Sequence, residues 1–155
     1  MTELKTHLIN SGVKISSNEK VEDLIVSDGK IQSIKTNKST YQPDEIVMAA
    51  GSWSSILAKK LGVKLLLQAG KGYRINTERE TGITIPAILA EAKAAVTPMN
   101  GFTRFAGTME IAGINHDINK VRVEAIAEAA TQYYPDVKIT VEEKDKAACG
   151  LRPVT

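Results

Sequence analysis

The sequence predicts an α+β fold: a mixed, largely antiparallel sheet flanked by helices. Three observations predict it. Short apolar runs bounded by Gly, Pro, Asn and Asp recur through the first two thirds of the chain, which is the spacing of strands and turns. Two hairpin dipeptides, Asp28-Gly29 and Asn100-Gly101, fall between such runs. One long segment repeats its apolar residues at helical steps.

The first fifty residues read as strands with tight turns. VEDLIVSDGKIQSI sets Val21, Leu24, Val26, Ile31 and Ile34 around Asp28-Gly29, a dipeptide that accepts the backbone angles of a two-residue turn. Glu45 to Ala50 is apolar without alternation, as expected of a central strand covered on both faces. Gly51 and Ser52 break it. Ser52 or Trp53 then starts a short helix, SSILAKKLG, with Ile56, Leu57 and Leu61 on one face and Gly62 as its stop. VKLLLQ, GYRIN, PAILAE, AAVTPM and FTRFAGTME read as further strands. The long helix runs from about Ile118 to Tyr133 on the apolar face Ile118, Val121, Ala125, Ile126, Ala129 and Tyr133. Asn115 or Asp117 caps it, Pro135 lies beyond it, and it should cross the sheet. A last strand covers Val137 to Val141.

A chain of 155 residues fits one domain or parts of two. Twenty basic against 18 acidic residues leave +2, so no charge excess points to nucleic acid. One Trp, four Tyr and two Phe are too few and too scattered for a base-stacking surface. Cys149 alone excludes an internal disulfide, and His7 and His116 have no metal-ligand spacing. No signal peptide or membrane span is visible, and a reducing, cytoplasmic setting is the default.

There is no G-x-S-x-G elbow, H-E-x-x-H, Walker loop or G-x-G-x-x-G. Gly70-Lys71-Gly72-Tyr73-Arg74 brings a cation and a phenol between two glycines, a pattern that suits close approach to a ligand but is more often a plain turn. Arg152 precedes Pro153, which keeps its backbone extended; on the residues alone a surface ion pair is favoured. For Trp53, Cys149, Tyr133 and Tyr134, packing is the favoured role, and His7 and His116 read as exposed loop residues.

Three segments taken in order carry a resemblance. DEIVMAAGSWSSILAKKLGVKLLLQAGKGYRI is similar to a buried strand that delivers a glycine beside a flavin, followed by G-K-G-Y. PAILAEAKAAVTPMNGFTRFAGTMEIAGIN resembles a V-T-P-M to R-x-x-G-T hairpin, and CGLRPVT resembles a G-L-R-P segment. Together they resemble the FAD-dependent D-amino-acid oxidase superfamily in the form found in bacterial D-amino-acid dehydrogenases, over roughly residues 12 to 155.

The resemblance implies oxidative deamination of a D-amino acid by hydride transfer to FAD in a parent protein. It implies a substrate-domain portion from Trp53 to Thr155, with residues up to Ser52 contributing strands to the FAD domain. Arg152 matches the arginine that grips the substrate carboxylate, and Tyr73 matches a pocket position. Val21 matches a residue whose backbone meets the adenine, and Ala50-Gly51 the close approach to the cofactor. Arg104 and Thr108 match sheet positions first and pocket lining second; Ala95 stands where related oxidases carry an aromatic. The dinucleotide loop and the closing part of the FAD domain have no counterpart, so the chain is expected to be an inactive internal piece that does not retain FAD. Membrane association of the parent at the inner face is left open. The alternatives are a glycine- or sarcosine-type amine oxidase piece and a non-enzymatic α+β binding module.

Overall fold

A computed structural model describes residues 2–155. The chain divides into two units, one formed by the residues to Met48 with Ile56–Lys64, the other by Ala49–Ser55 with Leu65–Thr155.

In the first unit, helix α1 spans Thr2–Asn10. The sequence predicts strands and turns over this stretch, so the helix is a correction. The signal is at its end: Gly12 takes φ +87°, Val13 N–H donates to Leu8 O at 3.0 Å and Gly12 N–H to Ile9 O at 3.0 Å. This pair of bonds satisfies the last carbonyls of a helix and needs the left-handed residue that Gly supplies. Strands β1, Val21–Ser27, and β2, Lys30–Thr36, form the expected hairpin, with Ser27 opposite Lys30; β3, Thr40–Tyr41, adds an edge to β2.

The central strand expected over Glu45–Ala50 is absent. Val47 is 90% exposed, and no strand among the described residues pairs with this segment. An apolar run becomes a buried strand only when neighbours supply both ladders and covering faces. A single 3₁₀ turn, Gly51–Trp53, leads into helix α2, Ser54–Lys60, which ends at Gly62 with the same two bonds seen after α1.

The second unit is built on a five-stranded sheet of order β5-β6-β7-β4-β8, every neighbour antiparallel. Its strands are β4, Gln68–Thr77; β5, Ala87–Leu89; β6, Ala94–Met99; β7, Phe102–Ile111; and β8, Ala148–Val154. VKLLLQ therefore stays outside the sheet except for Gln68, and Leu66 is 78% exposed. The glycine-flanked segment read as a turn lies inside β4. β8 was not anticipated as a strand; it is an edge, where Pro153 costs no ladder bond on its open side.

Helix α3, Lys120–Tyr133, crosses β7 and β4 as expected, but its cap and face differ. Asn119 is the cap, its Oδ1 accepting from Val121 N–H at 3.1 Å. The buried face is Val123, Ile126, Ala127 and Ala130, with Ala129 beside it, while Val121 is 77% exposed. Alanines on both sides of the helix let two stripes satisfy the same period, and only packing separates them. The core under α3 is Tyr73, Ile75, Leu89, Ala94, Val96, Phe105, those helix residues and Val137.

No strand forms over Val137–Val141. Val137 packs into the core, and helix α4, Val141–Asp145, begins at Thr140 through reciprocal bonds: Glu143 N–H donates to Thr140 Oγ1, and Thr140 N–H to Glu143 Oε2. The Thr-x-x-Glu pattern was in the sequence and outweighs the weak alternation around it.

Candidate functional site

The two faces of the five-stranded sheet are unlike. Along β4, Lys71, Tyr73, Ile75 and Thr77 are buried towards α3, so Gly70, Gly72, Arg74 and Asn76 point to the other face. The ladder with β8 has no irregularity: Gly70 faces Arg152, Gly72 faces Gly150, Tyr73 faces Cys149 and Arg74 faces Ala148. From β7 the open face receives Arg104, opposite Asn76, and Ala106, opposite Arg74; from β6 it receives Ala95, opposite Ala106.

Arg152 is thus an exposed side chain on the open face, and it enters no ion pair among the described residues. Tyr73, expected beside it, lies on the opposite face and is 2% exposed. An odd number of positions separates Cys149, its partner, from Arg152, and strand alternation sends the two side chains apart. Cys149 packs against the core, as expected.

Between β4 and the edge strand β8 the open face is bare backbone. A Cβ built on Gly72 or Gly150 meets no atom within 4 Å, and neither glycine has a positive φ. Nothing in the chain itself calls for glycine at either place, so the absent side chains leave a flat patch that another molecule can approach. Gly107 contrasts with them: its Cβ would lie 2.5 Å from Lys93 O and 2.9 Å from Ala94 Cα.

Behind the sheet, Tyr73 and Lys71 belong to a polar network. Tyr73 O–H donates to Glu110 Oε1; Asn119 Nδ2 donates to Glu110 Oε2 at 3.2 Å, and Arg122 Nε lies 3.4 Å from the same oxygen. Lys71, also 2% exposed, donates through Nζ to Asn115 Oδ1 at 2.5 Å and Asp117 O at 3.0 Å, with Glu110 Oε1 at 3.7 Å. The hydrogen bond from Tyr73 holds the Glu110 carboxyl below its usual range, aided by Asn119, Lys71 and Arg122. Burial, with the Glu110 carboxylate next to it, pushes the Tyr73 phenol up to about 12. These groups fasten β4 to β7 and to the loop before α3.

The segment leading into α2 belongs to this same unit. Its 3₁₀ turn packs against β8. Gly51 has φ +53° with nothing within 4 Å of its Cβ direction, and Ser52 Oγ is buried without a hydrogen-bond partner. Trp53 is 41% exposed and stacks on His116, ring centroids 6.0 Å apart at 21°. That contact was invisible in sequence, 63 positions separating the two. Val21 opens β1 in the other unit, paired with Thr36. Among the described residues no cluster of three or more His, Cys, Asp or Glu could hold a metal, and no helix is long and apolar enough to cross a membrane. A depression of about 410 Å³ between α3 and α4 lies behind the sheet, where Glu124 pairs with Lys144.

A helix-backed antiparallel sheet with one open face carrying glycines and arginines defines an α+β domain. The chain belongs to the DAO family of FAD dependent oxidoreductases, whose model matches residues 1–155. It is 29% identical over 157 residues to the D-amino acid dehydrogenase of Agrobacterium fabrum (strain C58 / ATCC 33970), covering 99% of this chain and 37% of that protein. It is 30% identical over 149 residues to the D-amino acid dehydrogenase of Paramagnetospirillum magneticum (strain ATCC 700264 / AMB-1), covering 93% of this chain and 34% of that one. The chain therefore spans about a third of the length of the curated relatives it matches.

The fold is shared with the glycerol-3-phosphate dehydrogenase from Bacillus halodurans complexed with FAD, at TM-score 0.83 and 20% identity over 98% of this chain and 34% of that one. It is shared also with the glycine oxidase from Geobacillus kaustophilus, at TM-score 0.76 and 17% identity over 95% of this chain and 39% of that one. The residues present fit the family's cofactor. Gly51 leaves room for close approach, and the unpartnered Ser52 hydroxyl offers a hydrogen bond.

Proposed function

We propose that this chain forms the substrate-facing part of an FAD-dependent oxidoreductase that oxidatively deaminates D-amino acids. The observation that carries the reading is the exposed, unpaired Arg152 on the same sheet face as the Gly72–Gly150 pair. Two relatives named as D-amino acid dehydrogenases, similar over nearly the whole chain, support the substrate class.

In this reading the Arg152 guanidinium holds the substrate carboxylate through two parallel hydrogen bonds, a fork that Lys does not offer. The glycine pair lets the rest of the substrate lie close to the strand backbone, and Ala95 and Ala106 leave room on its β7 and β6 side. Ala50 and Gly51 approach the cofactor, and the backbone at Val21 contributes at the adenine end. Tyr73 acts from behind the sheet, through Glu110, by fixing β4 and hence its glycines. When bound, FAD supplies the acceptor for the hydride of the substrate Cα–H bond, and the resulting imino acid takes up water to give a 2-oxo acid and ammonia. Positioning is the protein's part: a held carboxylate fixes where the Cα–H bond points.

The test uses the full-length protein that carries this chain, purified with FAD and given the two enantiomers of several amino acids, glycine and sarcosine with an artificial electron acceptor. Formation of 2-oxo acid and ammonia from D-enantiomers supports the reading. Turnover restricted to glycine or sarcosine would move it to the amine oxidases of that type, and no amine-dependent reduction would refute it.

A further inference from the structure

The open face of the five-stranded sheet is basic. Its positions on β4, β7 and β8 include Arg74, Arg104 and Arg152, and its sheet positions carry no Asp or Glu. Arg104 is occupied: its Nε donates to Asn76 Oδ1 at 3.1 Å, and its guanidinium lies 5.3 Å from the centre of the Phe102 ring. Arg74 is not. It is half-buried, stands opposite Ala148 and Ala106, and takes part in no ion pair among the described residues.

The ladder places Arg74 and Arg152 at the two ends of the same glycine floor. Arg152 faces Gly70, Arg74 faces Ala148, and Gly72 and Gly150 lie between them. Four positions along a strand are about 14 Å between Cα atoms, at ~3.4 Å per residue. Two arginine side chains leaning inward over bare backbone can close most of that span. Arg74 is half-buried as a residue and has no counter-charge among the described residues, and a carboxylate matches a guanidinium fork with two bonds.

We infer that the substrate is a diacid: an acidic amino acid whose α-carboxylate is held by Arg152 and whose side-chain carboxylate is held by Arg74. This rests on the reading of the open face as an amino-acid site. An amide in place of the side-chain carboxylate leaves Arg74 facing a neutral group, so D-glutamate and D-aspartate are favoured over D-glutamine and D-asparagine.

The experiment titrates the FAD-loaded full-length protein with glutarate and with pentanoate, equal in length but with two and one carboxylates, by isothermal calorimetry. Glutarate is expected to bind at least about tenfold more tightly, one charge-assisted pair being sufficient for that ratio. Arg74→Gln should bring the ratio close to one, while an unchanged melting temperature reports that the fold is kept. Equal binding of the two acids by the unaltered protein overturns the inference. So does a glutarate preference that survives Arg74→Gln, or loss of FAD on gel filtration of that variant with the preference intact, which assigns Arg74 to the cofactor. A glutarate preference in a protein that oxidises no amino acid upholds the diacid site and refutes the deamination reading instead.

Discussion

Gly72 and Gly150 stand opposite one another across β4 and β8, and a methyl group built on either meets no atom within 4 Å. A glycine in a strand interior is otherwise a liability, costing about 0.5–1 kcal/mol relative to alanine. Gly72→Ala and Gly150→Ala should therefore leave the melting temperature of the full-length protein equal or higher. Substrate KM should rise several-fold, since a methyl then occupies the floor. An unchanged KM in both variants would remove the glycine pair from the site.

Gly107→Ala should behave in the opposite way. The added carbon meets Lys93 O at 2.5 Å and Ala94 Cα at 2.9 Å, both backbone atoms, which cannot swing aside. The β6–β7 pairing must shift, at a cost of about 1–3 kcal/mol. Urea denaturation measures it, and a midpoint equal to that of the unaltered protein would contradict the close approach.

The Tyr73–Glu110 bond makes stability depend on pH at both ends. Glu110 is held below its ordinary value, first by the Tyr73 hydroxyl, so its contribution is complete above its unfolded value near 4.5 and is lost as pH falls through the lower folded value. Tyr73 is raised from 10.0 to about 12, mainly by burial, so its contribution is complete below pH 10 and is lost as pH rises from 10 towards 12. In Tyr73→Phe the decline in urea midpoint between pH 10 and 12 should flatten. An identical alkaline limb in both proteins would place the alkaline sensitivity elsewhere.

Lys71→Met should loosen the loop before α3. Lys71 Nζ holds Asn115 Oδ1 and Asp117 O from beneath the sheet, and the exposed end of that loop meets Trp53 through His116. The variant loses two charge-assisted bonds, about 2 kcal/mol or more. Amide hydrogen exchange should quicken across residues 112–119 ahead of the strands; uniform exchange across the sheet would refute the pinning role.

Much of the second unit was legible because its signals are local. Asn100-Gly101 gave the β6–β7 hairpin, and the three- and four-residue period gave α3. What escaped depended on partners distant in sequence. Glu45–Ala50 has the composition of a central strand but no ladder within the described residues, and β8 exists because β4 offers it one. Gly12 and the Thr140-Glu143 pair mark one end each of α1 and α4, but both helices are short and lie beside strand-like residues, so periodicity does not reveal them.

The site was legible in the same uneven way. Arg152 stood out by its motif and is exposed on the open face. Tyr73 matches a pocket position by resemblance, yet sharing a face with Arg152 depends on parity along paired strands, which only the register reveals. Arg74, one position further on, has the parity that shares the face of Arg152.

The central claim is that Arg152 grips the substrate carboxylate over the glycine floor. It is tested most directly by the D-amino-acid concentration that half-saturates anaerobic flavin reduction, followed by stopped-flow absorbance, in the full-length protein and its Arg152→Ala variant. A rise of about 100-fold in that concentration, the loss of a bidentate charge-assisted pair, is the predicted result. The same half-saturation in both proteins would contradict it.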